Sequence, residues 1–206
     1  MSYGTAGGPR PTGRLLPATL DFVALLWIVH ILRLVLSFLG LFSRQASAQI
    51  FGIHPGGSVT GLWTVFSAPL IHGDWGHLLG NSISLLILGS LVGLHQGRGQ
   101  LWQVSIVSAL VSGSGIWLIA PHNTVHVGAS GIVFGYLGAL LSTGWFQRRP
   151  LGILLSVVSL VLFHEMVPGL FPGAPGVSWQ GHLFGFLGGV LAARLTARSA
   201  TPETDP

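Results

Sequence analysis

Six apolar runs, joined by links that carry the arginines, leave this chain few ways to fold. They lie at 20–41, 76–94, 101–120, 128–146, 151–167 and 181–195. Roughly 20 residues carry a helix across a bilayer, so the first four runs are long enough and the last two are short. Only 7% of the 206 residues are charged, against about 25% in an ordinary soluble domain. So few charges cannot cover a water-facing surface. The backbone of a segment in lipid must satisfy its own hydrogen bonds, which makes each run a helix. The expected fold is therefore all-α: a polytopic membrane protein with six transmembrane helices.

The arginines set the orientation. Arg10 and Arg14 precede the first run, and Arg98 separates the second from the third. Arg148 and Arg149 separate the fourth from the fifth, and Arg194 and Arg198 close the sixth. With six spans, all seven fall on one face, while the other face receives only Arg44. Both termini are expected in the cytoplasm. The formal charge of +4 does not point to nucleic acid, because the basic residues are dispersed between apolar runs. The lack of lysine hints at a GC-rich genome, and a bacterial plasma membrane is the expected location. Arg33 lies inside the first run and must snorkel or find a partner. Ala46-Ser47-Ala48 resembles a signal-cleavage site, but the preceding run is too long for an h-region and Arg33 interrupts it. That run is read as a retained span.

The polar ends, 1–14 and 197–206, are expected to be disordered cytoplasmic segments flanking one membrane domain over 15–196. The link at 42–75 is too apolar for a plain solvent loop, with Ile50, Phe51, Leu62, Trp63 and Phe66 along it. It is read as a long first outer loop associated with the membrane. The chain has no cysteine, which excludes disulfides, thiol catalysis and cysteine-based metal sites.

Ionisable groups at membrane depth are costly and mark functional candidates. Three clusters contain them: His72 to Asn81, Val127 to Gly135, and Ser178 to Gly185. Runs two, four and six all begin on the outer side, and His77, Ser130 and His182 lie near those beginnings. Three distant segments thus bring polar groups to one depth, which a shared site requires. Serine needs a neighbouring base to act as a nucleophile, and histidine suits that role. No carboxylate neighbours His182 in sequence, so a Ser130–His182 dyad is more economical than a triad. Gly128 and Gly131 remove bulk around Ser130. Gly131 with Gly135, and Gly181, Gly185 and Gly189 in series, are small-residue pairs that permit close helix packing. Candidate donors for a developing oxyanion are the Ser130 amide, His77 and Asn81, the last two sharing a helix face. Each feature alone has a plainer reading: serines in membrane helices commonly bond back to the helix, and glycine pairs are packing. The conjunction of order, spacing and depth carries the argument.

That conjunction resembles the rhomboid family of intramembrane proteases. His72-x4-His77-x3-Asn81, Gly128-Ala129-Ser130-Gly131, and His182 with Gly185 and Gly189 match the family's order and spacing over about residues 60–195. The resemblance implies a six-helix core and cleavage of single-span membrane substrates near the outer face. It implies Ser130 as nucleophile, His182 as base, and His77, Asn81 and the Ser130 amide as the oxyanion hole. Water must reach Ser130 through a polar depression expected to be lined by His72, His77, Asn81 and His182. No cofactor or metal is implied. Two departures stand out. Trp63-Thr64 replaces the usual Trp-Arg of the first loop. Phe134 replaces the tyrosine on which the base stacks; it keeps the ring and loses the hydroxyl.

Other chemistries fit less well. His164-Glu165-Met166-Val167-Pro168 has proline where a metalloprotease helix needs its second histidine. Asp21 and Asp74 sit at the edges of runs, unlike the paired membrane aspartates of an aspartyl protease. For a metal transporter, His72 and His77 are five apart and do not share a helix face, and no ladder of carboxylates lines a path. The remaining alternative is a catalytically inactive rhomboid-like protein that binds membrane clients.

Overall fold

A computed structural model describes residues 15–148 and 150–199 of the chain. Among them are eight α-helices: α1 (Leu15–Phe38), α2 (Arg44–Phe51), α3 (Thr64–Ser67), α4 (Trp75–Gln96), α5 (Arg98–Ile119), α6 (Ser130–Gln147), α7 (Pro150–Phe163) and α8 (Trp179–Ser199). Short 3-10 turns occupy Val59–Gly61, Ala68–Leu70 and His164–Leu170. Four stretches are long and apolar enough to cross a membrane: Ala18–Phe38, Trp75–Gln96, Arg98–Ile119 and Pro150–Leu170. Ser130–Phe146 is a shorter apolar helix. The chain is an all-helical, multi-pass membrane protein.

Local chemistry explains the boundaries. The Asp74 carboxylate accepts from the His77 amide at 2.8 Å and caps α4, supplying an acceptor that the first helical turn lacks. Ser43 caps α2 through the Ala46 amide. Gly97, at φ +88°, turns α4 directly into α5. The run expected at 151–167 is not one regular helix. Pro168 cannot donate an amide hydrogen, and its ring crowds the carbonyl four residues back, at His164; the helix tightens to 3-10 from that residue. The 14 residues of α7 rise about 21 Å, and the seven 3-10 residues add about 14 Å. Together they match a hydrocarbon core of roughly 30 Å.

α6 occupies the centre, against α4, α5, α7 and α8. Ile132, Val133, Tyr136, Leu137, Ala139 and Leu140 from α6 are buried with Leu78, Leu85, Leu88 and Val92 from α4. The Tyr136 hydroxyl is paired with Ser105 of α5 at 2.7 Å. α7 is the opposite case. Leu151, Ile153, Leu154, Val157, Leu160 and Val161 all face outward, as suits a helix whose surroundings are lipid.

The segment between α1 and α4 is held at several points. Ile53 and His126 form an isolated antiparallel bridge, and Leu62, Trp63 and Phe66 are exposed. Arg33 finds partners rather than snorkelling: it is 8% exposed and donates to Ser47 Oγ at 2.7 Å and to the His72 carbonyl at 2.8 Å. Residues 197–199, expected in a disordered tail, continue α8 to Ser199. Ala192, Ala193, Arg194, Leu195 and Ala197 are strong helix formers, which carries the helix past the apolar run. The remaining expected disorder, at 1–14 and 200–206, lies outside the described residues, as do Arg10, Arg14 and Arg149.

Candidate active site

Ser130 is the first residue of α6 and His182 lies in the first turn of α8. The Ser130 hydroxyl donates to His182 Nε2 at 2.9 Å. His182 Nδ1 meets the Gly169 carbonyl at 3.0 Å. A carbonyl only accepts, so Nδ1 carries the hydrogen and Nε2 keeps the lone pair that faces the serine. The imidazole lies flat on the Phe134 ring, with centroids 4.1 Å apart and planes at 18°. Phe134 is one helical turn beyond Ser130 and so shares its face.

This approach depends on glycines. A Cβ on Gly185 would fall on the Gly131 carbonyl, and one on Gly189 would fall on the Gly135 carbonyl. α6 and α8 therefore touch backbone to backbone. From α5, Ser112 and Ser108 fill the spaces beside Gly131 and Gly135, and Ser112 donates to the Gly181 carbonyl at 2.8 Å. Small residues on three helices thus fix the distance between Ser130 and His182.

The approach to Ser130 is equally held. Gly128 has φ +113°, a conformation that disfavours any side chain, and its amide donates to the Ala68 carbonyl at 2.9 Å. A Cβ there would collide with the His77 imidazole and lie 3.5 Å from Asn81 Nδ2. The nitrogens of His77 and Asn81 therefore border the backbone two residues before the serine. Asn81 is buried and its amide nitrogen donates to His72 Nε2 at 3.0 Å. The His72 and His77 rings meet edge to face at 5.0 Å. A cavity of about 30 Å³ adjoins Ser130, lined by Ser112, His126, Gly128, Ser178 and Gly181 among others.

His182 thus touches both Ser130 and Phe134, Gly131 lies at the α6–α8 crossing, and His72, His77, Asn81 and Gly128 form a neighbouring group. Thr64 is buried and its hydroxyl donates to the Gly61 carbonyl at 2.7 Å. His164 and Glu165 are exposed, and among the described residues no group of three or more His, Asp or Glu side chains could hold a metal ion. Gly169 and His126 escape sequence reasoning, and Ser178 enters it only as the edge of a polar cluster. Gly169 acts through its carbonyl, which no side-chain pattern announces. His126 Nδ1 pairs with Ser178 Oγ at 2.7 Å, tying the segment before Ser130 to the start of α8. The signal for Ser178 was its place before an apolar run, where serine is a common cap. Burial lowers the His126 pKa below the usual imidazole value.

A helical membrane protein with a serine–histidine pair at the starts of two glycine-packed helices belongs to a narrow class. The Rhomboid domain family matches residues 59–199, and the chain belongs to that family. It is 38% identical to an uncharacterized protein of Mycobacterium tuberculosis over 184 residues, covering 85% of this chain and 72% of the relative. It is 29% identical to a Bacillus subtilis protein provisionally named a rhomboid protease, covering 65% of this chain and 66% of the relative. Rhomboid-like protein 11 of Arabidopsis thaliana chloroplasts is 35% identical over 96 residues, covering 45% of this chain.

Proposed function

We propose that this protein is an intramembrane serine endopeptidase that cleaves single-span membrane proteins near the outer leaflet through a Ser130–His182 dyad. The observation that carries the reading is the 2.9 Å Ser130–His182 hydrogen bond with Nδ1 anchored on Gly169. That pair is a nucleophile with its base already in the required tautomer. Membership in a family that includes serine proteases supports it.

In the proposed reaction, Ser130 Oγ attacks the scissile carbonyl carbon while His182 Nε2 takes the hydroxyl proton. The resulting oxyanion is held by the Ser130 amide, His77 and Asn81. The Ser130 amide sits in the first turn of α6, where helical N–H groups lack intrahelical acceptors. Collapse breaks the C–N bond, and His182 returns the proton to the leaving amine. Water, deprotonated by His182, then attacks the acyl-serine, and the released Oγ recovers the proton. The Gly169 carbonyl, which accepts from Nδ1–H, stabilises the transient imidazolium, as the carboxylate does in a triad. A scissile carbonyl inside a helix is already bonded, so the substrate must unwind locally; small or helix-breaking residues are favoured at the cut.

The same reading includes six spans, formed by α1, α4, α5, α6, α7 with its 3-10 extension, and α8. Both termini are cytoplasmic, in a bacterial plasma membrane. The apolar side chains exposed between α1 and α4 fit a segment lying in the outer leaflet. Labelling purified protein with a fluorophosphonate serine probe tests the dyad. Wild type should label, and Ser130→Ala and His182→Ala should not. Equal labelling of Ser130→Ala sinks the assignment, and a folded wild type that neither labels nor cleaves points instead to an inactive client-binding protein.

A further inference from the structure

Arg33 is an expensive residue where it stands. It is 8% exposed and lies within the stretch of α1 apolar enough to span the membrane. Its acceptors are Ser47 Oγ at 2.7 Å, the His72 carbonyl at 2.8 Å and, weakly, the Arg44 carbonyl at 3.4 Å. None is a carboxylate. Burying a cation without a counter-ion is costly, and a neutral amide could hold one or two of these acceptors. Arginine differs in presenting five donors in a rigid fork, which fixes several segments at once. The segments are the start of α2 and the turn that enters α4.

That turn leads to the oxyanion group. His72 is fully buried, and its Nε2 is the acceptor for Asn81 Nδ2 at 3.0 Å. Its Nδ1 has no acceptor at hydrogen-bond geometry, although the Leu70 backbone is near enough to favour protonation. The contact with Asn81 is thus the imidazole's anchor. An amide nitrogen has two hydrogens. One goes to His72, and the other is left for the space beside Gly128, which Asn81 Nδ2 borders.

We propose that Arg33 is a positioning residue of the catalytic site: its guanidinium holds the His72 backbone, and the His72 ring in turn aims the Asn81 amide at the oxyanion. The relay needs neutral His72, because a protonated ring donates at both nitrogens and cannot accept from Asn81. Burial opposes that protonation most, with His77 and, after them, His30 and Arg33 adding to it against the Leu70 backbone. The relay reaches the site from α1, outside the three segments that carry the polar clusters. Its use in catalysis rests on the endopeptidase reading above, whereas the aiming of Asn81 does not.

The experiment therefore has two readouts on the full chain in detergent micelles. The first is the side-chain amide signal of Asn81 after selective ¹⁵N-asparagine labelling. Asn81 and Asn123 are the chain's two asparagines. Arg33→Met and His72→Phe should each shift the Asn81 signal and leave that of Asn123 in place. An unmoved Asn81 signal overturns the relay whether or not the protein is a protease. The second is a double-mutant cycle with a fluorogenic transmembrane peptide. Arg33→Met should lower kcat about tenfold or more, since a misplaced group far from the chemistry has effects of that order, with KM within about twofold. In the Asn81→Ala background the same change should have little further effect, because nothing remains to aim. Arg33→Lys, with fewer donors, should recover part of the loss. Losses that multiply across the two sites mean a purely structural arginine and overturn the proposal. If Arg33→Met fails to fold, His72→Phe carries the cycle, since it keeps the backbone carbonyl and the ring volume while removing the acceptor. Active wild type, dead Ser130→Ala and multiplicative losses defeat the relay alone. Ser130→Ala that still cleaves defeats the endopeptidase reading instead.

Discussion

Gly128 concentrates two demands at one position. Its φ of +113° excludes most side chains, and its missing Cβ leaves the space that His77 and Asn81 border. Gly128→Ala therefore forces either the loop or the His77 ring to move. Strain of this kind amounts to roughly 1–3 kcal/mol, while displacement of one oxyanion donor lowers kcat by about 10²–10³. Proteolysis should fall by that factor, with a much smaller change in melting temperature; an active Gly128→Ala enzyme contradicts the oxyanion assignment. The loop histidines make a second prediction. Burial is the largest cause that lowers both His72, to about 3, and His126 from the model-compound value of 6.5. Both are neutral in the fold, while the unfolded chain binds their protons below about pH 6.5. Stability is thus full above that value and declines as pH falls from 6.5 toward 3. Thermal unfolding should show this slope, and His126→Gln should flatten part of it. At this scale the juxtaposition of Ser130, His182 and Phe134 was readable, because all three are side chains at fixed spacing. Gly169 was not, because a carbonyl is common to every residue.

The helix pair α6–α8 shows what glycine spacing can and cannot announce. The four-residue spacing of Gly131 and Gly135, and of Gly185 and Gly189, marked close packing in advance. That Ser108 and Ser112 of α5 would fill the same seam was not readable, since serine in a membrane helix commonly bonds only its own backbone. The break at Pro168 was missed for a related reason. Apolarity runs through it, and the proline's effect falls on a residue four positions earlier. The seam gives a contrast between two glycines. Gly185→Val would drive its side chain into the Gly131 carbonyl. Overpacking of this sort destabilises by about 1–3 kcal/mol, and here it also pushes His182 from Ser130. Gly93, buried in α4, has nothing within 4 Å of an added Cβ. Gly93→Ala should be neutral or stabilise by up to about 1 kcal/mol. Melting temperature and fluorophosphonate labelling of both variants check this: loss on both measures for Gly185→Val, retention on both for Gly93→Ala.

Sidedness is a property of the whole molecule and decides which face of the membrane the chemistry serves. α4, α6 and α8 begin with His77, Ser130 and His182 in or near their first turns, so their starts share one face. The link from α4 to α5 carries Arg98, the end of α6 carries Arg148, and the far part of α8 carries Arg194, so these arginines gather at the opposite face. Because arginine is retained on the cytoplasmic side, we propose that the site lies in the outer half of the bilayer. That the three helix starts share one end of the bundle, with these arginines at the other, was readable from order and charge. The depth of Ser130 was not, since it depends on how much shorter α6 is than its neighbours. With 18 residues against 22 for α4 and α5, α6 is about 6 Å shorter, a difference set by where Gly128 turns the chain. The lack of cysteine allows a direct test. Ala174, exposed just before α8, and Gly99, exposed at the start of α5, lie at opposite ends of the bundle. In intact cells a membrane-impermeant maleimide should label Ala174→Cys, and it should label Gly99→Cys only after permeabilisation. The reverse pattern would put Ser130 toward the cytoplasm, and with it the substrates would have to present their scissile bonds from the inner leaflet.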